Sequence, residues 1–173
     1  NHAFAMFDHF YSKGGNVFDT AYIYNNGKSD YYLGKWIEAR GLRDEIVVLG
    51  KGAHTPDCFP EKIRPQLEET LARMSTSYVD IYCLHRDNES VPVEDFIDTL
   101  NELKDEGLLT VFGASNWSLE RFKAANDYAL SNNKQPFTVL SNNFSLARMN
   151  NPVWPGCFSC SEDDYVNYLT ENQ

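Results

Sequence analysis

Runs of consecutive apolar residues recur along this chain at a pitch of roughly 30 residues, the length of one strand-helix-strand unit, starting near Asn16, Glu45, Tyr78, Leu109 and Phe137. In Ile46-Val47-Val48-Leu49 the apolar residues are continuous, not alternating, which predicts a strand buried on both faces, as in a parallel sheet. Helical spacing fills the intervals. Leu33, Trp36 and Ile37 share a face that ends at Gly41; Ile63, Leu67, Leu71 and Met74 form a second, and Val93, Phe96, Ile97, Leu100 and Leu103 a third, closed by Gly107. Alternation at this pitch predicts an α/β fold with helices covering a parallel sheet.

The remaining elements follow the same logic. Phe4, Phe7 and Phe10 predict a helix over residues 3–13, stopped by Gly14-Gly15. The strands are expected over 16–21, 45–50, 78–84, 109–114 and 137–140. Ser29 and Ser118 are expected helix N-caps. Pro65 is tolerable only near a first helical turn. Residues 142–160 carry no clear period. Ser161, with Asp164 three residues on, reads as a capping box that opens a last helix running to the chain end at Gln173.

A doubly wound sheet and a closed (β/α)8 barrel both fit this alternation. Dinucleotide-binding doubly wound folds carry Gly-x-Gly-x-x-Gly after the first strand, whereas Gly50-Lys51-Gly52 lacks the third glycine and opens no helix directly. Instead, polar residues recur at the carboxyl end of strand after strand: Asp19, Lys51, His85, and the pair Ser115-Asn116. That is the habit of barrel active sites, and the expected fold is a (β/α)8 TIM barrel, of which this chain supplies about five strands and six helices.

Taken singly, these residues have plain explanations. Asp19 suits a cap, Tyr24 half-buried packing, and His85 a satisfied core position. Lys51 is different, because an ammonium at the rim of an apolar strand needs a partner, and Asp19 on the neighbouring strand end is the natural one. A phenol is a weak acid near neutrality, with an ordinary pKa of about 10. An ammonium ~4 Å from a phenolate stabilises it by up to about 4 kcal/mol at an effective dielectric of ~20. A carboxylate, a phenol, an ammonium and an imidazole together suit protonation of a carbonyl oxygen while a nucleophile attacks its carbon.

On these residues the chain resembles the aldo-keto reductases. Asp19-Thr20-Ala21-Tyr22-Ile23-Tyr24 is similar to the family's Asp…Tyr element, and Gly50-Lys51-Gly52 to its lysine strand end. The run from Tyr78 to Arg86 is similar to its histidine strand, and Gly113-Ala114-Ser115-Asn116-Trp117-Ser118 to its Gly-x-Ser-Asn segment. The resemblance implies Tyr24 as general acid, Lys51 and Asp19 tuning it, and His85 orienting the carbonyl. It implies hydride from NADPH or NADH, NADPH favoured, with Asp19, Ser115 and Asn116 in the cofactor site. The family usually places a carboxamide-binding glutamine on the sixth strand and a ring-stacking tyrosine soon after; here those positions read Ser141 and Phe144. Phenylalanine stacks as tyrosine does, but serine reaches less far, with Asn142 or Asn143 as stand-ins. Trp154 and Phe158 would wall the substrate pocket. A second reading within the same family is a cofactor-binding regulatory subunit with little turnover.

Composition excludes several alternatives. A net charge of 15 − 25 = −10 repels phosphate backbones, so nucleic acid is not an expected partner. No apolar run approaches a membrane span and no leader is visible, which predicts a cytoplasmic protein. Four cysteines are too sparse for a disulfide framework, and Cys157-Phe158-Ser159-Cys160 lacks the further ligands of a zinc site, so no metal is expected. A small carbonyl compound is the expected partner, and the oligomeric state is left open. Because a closed barrel needs eight units and about 250 residues, the chain is expected to be one incomplete barrel domain, lacking the first strand and the last two.

Overall fold

The structure is a computed structural model that describes residues 2–172. In chain order the elements are α1 (His2–Ser12), β1 (Val17–Asp19), α2 (Lys28–Arg40), β2 (Val47–Gly52), α3 (Pro60–Met74), β3 (Val79–Leu84), α4 (Val93–Asp105), β4 (Leu109–Ala114), α5 (Leu119–Ser131), β5 (Val139–Leu140) and α6 (Asp163–Glu171). All strand pairs are parallel, and the strands lie side by side in sequence order. A doubly wound sheet reverses its order at a switch point. This one does not, and it is five consecutive βα units of a (β/α)8 barrel.

The register sorts the side chains into two faces. Phe18 pairs with Val48, and Gly50 with Tyr82 and then Phe112; these side chains are buried under the helices. Trp36, Trp117, Phe96, Ile63 and Leu67 complete that core, each contributing on the order of 2 kcal/mol by burial. Aromatic edges lock it, with Trp117 5.1 Å from Phe137 and 5.6 Å from Phe96. The opposite face carries Val17 and Val47, then Leu49, Ile81 and Val111 in one row. These are only partly covered. The continuous apolar run predicted burial on both faces; within residues 2–172 only the helical side is covered.

Element ends depart from expectation where long-range bonds intervene. β2 runs two residues further than predicted, so Lys51 lies inside the strand and not after it. Asn25, Asn26 and Gly27 all adopt left-handed backbone, the conformation that asparagine and glycine tolerate best, and α2 therefore starts at Lys28 with Ser29 already in its first turn. Pro60 takes the first position of α3, which leaves Pro65 in the helix interior. Ser118 caps α5 as expected, accepting from the Arg121 N–H at 3.3 Å. Ser161 does not cap α6: it donates to the Ser145 carbonyl (2.8 Å) and accepts from the Ser145 N–H (3.0 Å), and Glu162 takes the N-cap position. Phe10 is half exposed because spacings of three drift off a 3.6-residue stripe, though its ring still meets Phe18 at 5.3 Å. The predicted helix end at Gln173 lies outside the described residues. Among those residues no helix is long and apolar enough to cross a membrane.

Candidate active site

Asp19 lies opposite Leu49, two residues before Lys51, so both charged side chains fall on the face turned away from the helices. The Lys51 ammonium is buried, ion-paired to the Asp19 carboxylate and 3.4 Å from the Tyr24 hydroxyl. The loop that carries Tyr24 is pinned from behind. Tyr22 N–H donates to the Lys51 carbonyl (2.8 Å) and Tyr24 N–H to the Ala21 carbonyl (2.9 Å). Arg73 reaches across from α3, donating to the Tyr22 carbonyl at 2.8 Å and lying over the Tyr22 ring. Arg73 is held in turn by the fully buried Asp30, which also accepts from Thr20 (2.6 Å) and Thr70 (3.3 Å). Burial raises the Asp30 pKa, while the Thr20, Arg73 and Thr70 bonds oppose the rise.

His85 follows β3, its N–H donating to the Gly52 carbonyl at 2.7 Å. Its ring stands edge-on to Tyr24 (centroids 5.6 Å apart) and to His54 (4.9 Å). Burial first, then the nearby His54, Lys51 and Arg86, push the His85 pKa down to about 3, so the ring is neutral at physiological pH. Among the described residues its Nδ1 is buried without a partner. An unpaired acceptor is cheaper to bury than an unpaired N–H, which puts the ring proton on Nε2 as a donor for the groove.

Ser115 and Asn116 stand at the end of β4. The Ser115 hydroxyl donates to the Ser141 carbonyl (2.8 Å) and accepts from Asn116 Nδ2 (3.1 Å), which also reaches the His85 carbonyl at 3.3 Å. Asn116 has left-handed backbone (φ 58) and its N–H donates to Asn142 Oδ1 at 2.6 Å. Asn142 Nδ2 donates to the Trp117 carbonyl (3.0 Å), so this amide is spent on shaping the turn and is not free to stand in for a glutamine at Ser141. Among the described residues Asn116 Oδ1 accepts no hydrogen bond. It is an open acceptor beside the groove that fits the NH2 of a nicotinamide carboxamide.

Of these groups Tyr24, His85 and Asn116 line a groove of about 940 Å³, together with His54, Trp154 and Phe158. Trp154 is largely exposed, as is Phe144, whose ring stands in the loop after β5 with no aromatic neighbour among the described residues. Asp19, Tyr24, Lys51 and His85 thus converge; Ser115 and Asn116 lie against His85, while Ser141 contributes its main chain. Sequence reasoning missed His54, Arg86 and the turn-forming role of Asn142. Arg86 was the one with a signal, directly after His85 in the same strand-end run. Among the described residues no group of three or more His, Cys, Asp or Glu side chains is set to hold a metal.

The arrangement offers a proton donor backed by a buried cation, and a neutral imidazole donor beside it. The sequence profile described as the Aldo/keto reductase family matches residues 1–159. An aryl-alcohol dehydrogenase [NADP(+)] of Phanerodontia chrysosporium is 29% identical over 174 residues, covering 90% of this chain and 45% of the relative. Norsolorinic acid reductase stcV of Emericella nidulans is 34% identical over 140 residues, 73% of this chain and 36% of the relative. A probable aryl-alcohol dehydrogenase of Saccharomyces cerevisiae is 29% identical over 158 residues, 83% of this chain and 48% of the relative. The chain spans about half the length, or less, of these curated relatives.

Proposed function

The chain belongs to the aldo/keto reductase family, and from that premise we propose that it carries the catalytic half-site of an NAD(P)H-dependent reductase of aldehydes or ketones, within a single barrel domain of which residues 1–173 are one part. The observation that carries the reading is the Lys51 ammonium, buried between the Asp19 carboxylate and the hydroxyl of Tyr24, a residue that lines the groove.

A reduced nicotinamide, when bound, supplies the hydride that becomes the new C–H bond at the carbonyl carbon. Tyr24 gives its hydroxyl proton to the carbonyl oxygen, completing the alcohol. Lys51 faces the phenolate left behind, and Asp19 holds the ammonium in place. His85, neutral and donating from Nε2, orients the carbonyl oxygen. Asn116 Oδ1 is the acceptor for the cofactor's carboxamide, with Ser115 and Asn142 fixing its turn. Asp19, beside Tyr24, is assigned to the cofactor side as well, with Phe144 as the ring-side contact and Ser141, whose carbonyl holds the Ser115 hydroxyl, on the carboxamide side. NADPH is the favoured cofactor, since one relative is named as NADP(+)-dependent. Trp154 is an outer wall for the substrate. The protein is cytoplasmic.

The rival is a family member that binds cofactor as a regulatory subunit with little turnover. A binding role has no use for a buried ammonium aimed at a phenol, which favours catalysis. Cofactor oxidation by the intact protein, measured against a panel of aromatic and aliphatic carbonyl compounds, decides between them. Saturable turnover above 0.1 s⁻¹ on at least one compound is expected, on the order of a tenth of the low end of ordinary enzyme rates. Tight NADPH binding with no turnover across the panel would favour the regulatory subunit.

A further inference from the structure

Arg86 follows His85 directly and lines the same groove. Its backbone is held at three points. The N–H donates to the Ala53 carbonyl (3.3 Å), and the carbonyl accepts from Cys58 Sγ (2.9 Å) and Trp117 Nε1 (3.3 Å). Among the described residues the guanidinium, partly buried, uses Nη1 alone, donating to the Pro155 carbonyl (3.4 Å) and Cys157 Sγ (3.3 Å). Neither acceptor is a carboxylate.

Among the described residues no carboxylate lies within ion-pair distance of Arg86, although the chain has ten more acidic than basic residues. Other arginines are treated otherwise: Arg121 pairs with Asp87 at 2.8 Å, and Arg43 with Asp80 at 2.9 Å. Nε and Nη2 of Arg86 therefore form an open fork, the geometry that grips a carboxylate through two parallel hydrogen bonds. Arg86 is the sole Lys or Arg among the groove-lining residues. Asp87, also in the wall, is already neutralised by Arg121, and Glu89 is exposed and makes no pair with Arg86. A single cation beside an acidic residue suits a monoanion over a phosphate dianion.

We propose that Arg86 is a specificity-determining subsite for a carboxylate at the far end of the carbonyl substrate, so that oxo-acids are the preferred class. The proposal rests on the reading of this groove as a carbonyl-reducing site. The substrate enters carbonyl first toward Tyr24 and His85, its apolar middle lies against Trp154 and Phe158, and its carboxylate pairs with Arg86.

The test compares 4-formylbenzoate with its methyl ester in the intact protein, using the ratio of kcat/KM values as the readout. The ratio favours the acid, and Arg86→Gln lowers it roughly ten- to a hundredfold, the scale of a hydrogen-bonded charge. Arg86→Lys, which keeps the charge without the fork, falls between the two and guards against a misfolded Gln variant. A ratio at or below one in the parent, or a ratio unmoved by Arg86→Gln, overturns the proposal. So does a loss of NADPH affinity as large as the loss in the ratio, because the anion held would then be the cofactor's. Tryptophan-fluorescence titration with benzoate and benzamide gives a readout independent of turnover. If neither aldehyde is reduced, the titration decides alone: a benzoate preference lost in Arg86→Gln supports the anion site, and no benzoate preference overturns it, while the carbonyl-reducing reading stands or falls on the wider panel.

Discussion

Tyr24 contributes one atom that no neighbour can replace. Its hydroxyl is 3.4 Å from Lys51, and the ring meets His85 edge-on whether or not the hydroxyl is present. Tyr24→Phe therefore keeps the packing and removes the proton. Carbonyl reduction by the intact protein is expected to fall 10²–10⁴-fold, the usual contribution of a general acid, with NADPH affinity nearly unchanged. Turnover within about tenfold of the parent would sink the assignment. His85 makes a prediction of the opposite kind, about stability. Its folded pKa lies near 3 against an ordinary 6.5, so between those values the unfolded chain takes up a proton that the folded chain declines. The sign follows: the stabilisation is complete above about pH 6.5 and is lost as pH falls toward 3, by up to about 5 kcal/mol. Urea unfolding of the parent and of His85→Gln at pH 7 and pH 4 should show the smaller acid loss in the variant; equal losses would mean that His85 titrates normally in the fold.

At the scale of elements, β2 and β3 meet where Gly52 leaves a gap that the buried Tyr82 hydroxyl fills. A Cβ on Gly52 would fall inside that hydroxyl, and among the described residues the hydroxyl itself is buried without a hydrogen-bond partner. Gly52→Ala should cost roughly 1–3 kcal/mol by overpacking, while Tyr82→Phe, which deletes an unpaired buried polar atom, should be neutral or stabilising. The double variant should recover much of the Gly52→Ala loss, read as a coupling in urea midpoints. Strict additivity would show that the strand pair relaxes in some other way. The Gly-Lys-Gly run was legible in the sequence as a strand end, but the partner that makes its second glycine necessary was not, because Tyr82 is 30 residues away along the chain. The same distinction runs through the fold. β4 matches its predicted bounds because an apolar run between Gly107 and the Ser115-Asn116 turn is a local signal. The starts of α2 and α6 did not match, since left-handed Asn25-Asn26-Gly27 and the Ser145–Ser161 bonds decide them. In the site, Asp19, Lys51 and His85 were legible as polar ends of apolar strands, whereas Asn142 shapes the turn through a bond to Asn116 that no spacing rule encodes.

For the whole molecule the deciding feature is the sheet face that the helices do not cover. Val17, Val47, Leu49, Ile81 and Val111 line it with partly exposed apolar side chains. Among the described residues β1 pairs only with β2, and β5 only with β4. Each outer strand therefore presents a row of unpaired backbone donors and acceptors, the standard template for association. Opposing this is the net charge of −10, which repels like molecules at low ionic strength and is screened within ~8 Å at 0.15 M salt. Edge pairing and apolar contact act at shorter range than that, so they prevail once salt is present. A polypeptide consisting of these 173 residues is thus expected to self-associate, and to do so more strongly as salt is raised from about 10 to 150 mM. It is also expected to bind NADPH negligibly, because Asn116 offers an acceptor for the carboxamide but the groove offers only Arg86 against the cofactor's several phosphate charges. Light scattering across a salt series and a cofactor fluorescence titration check both statements. A stable monomer at 150 mM salt that binds NADPH at micromolar levels would show that the uncovered face is satisfied within these units and that the cofactor site is complete in them.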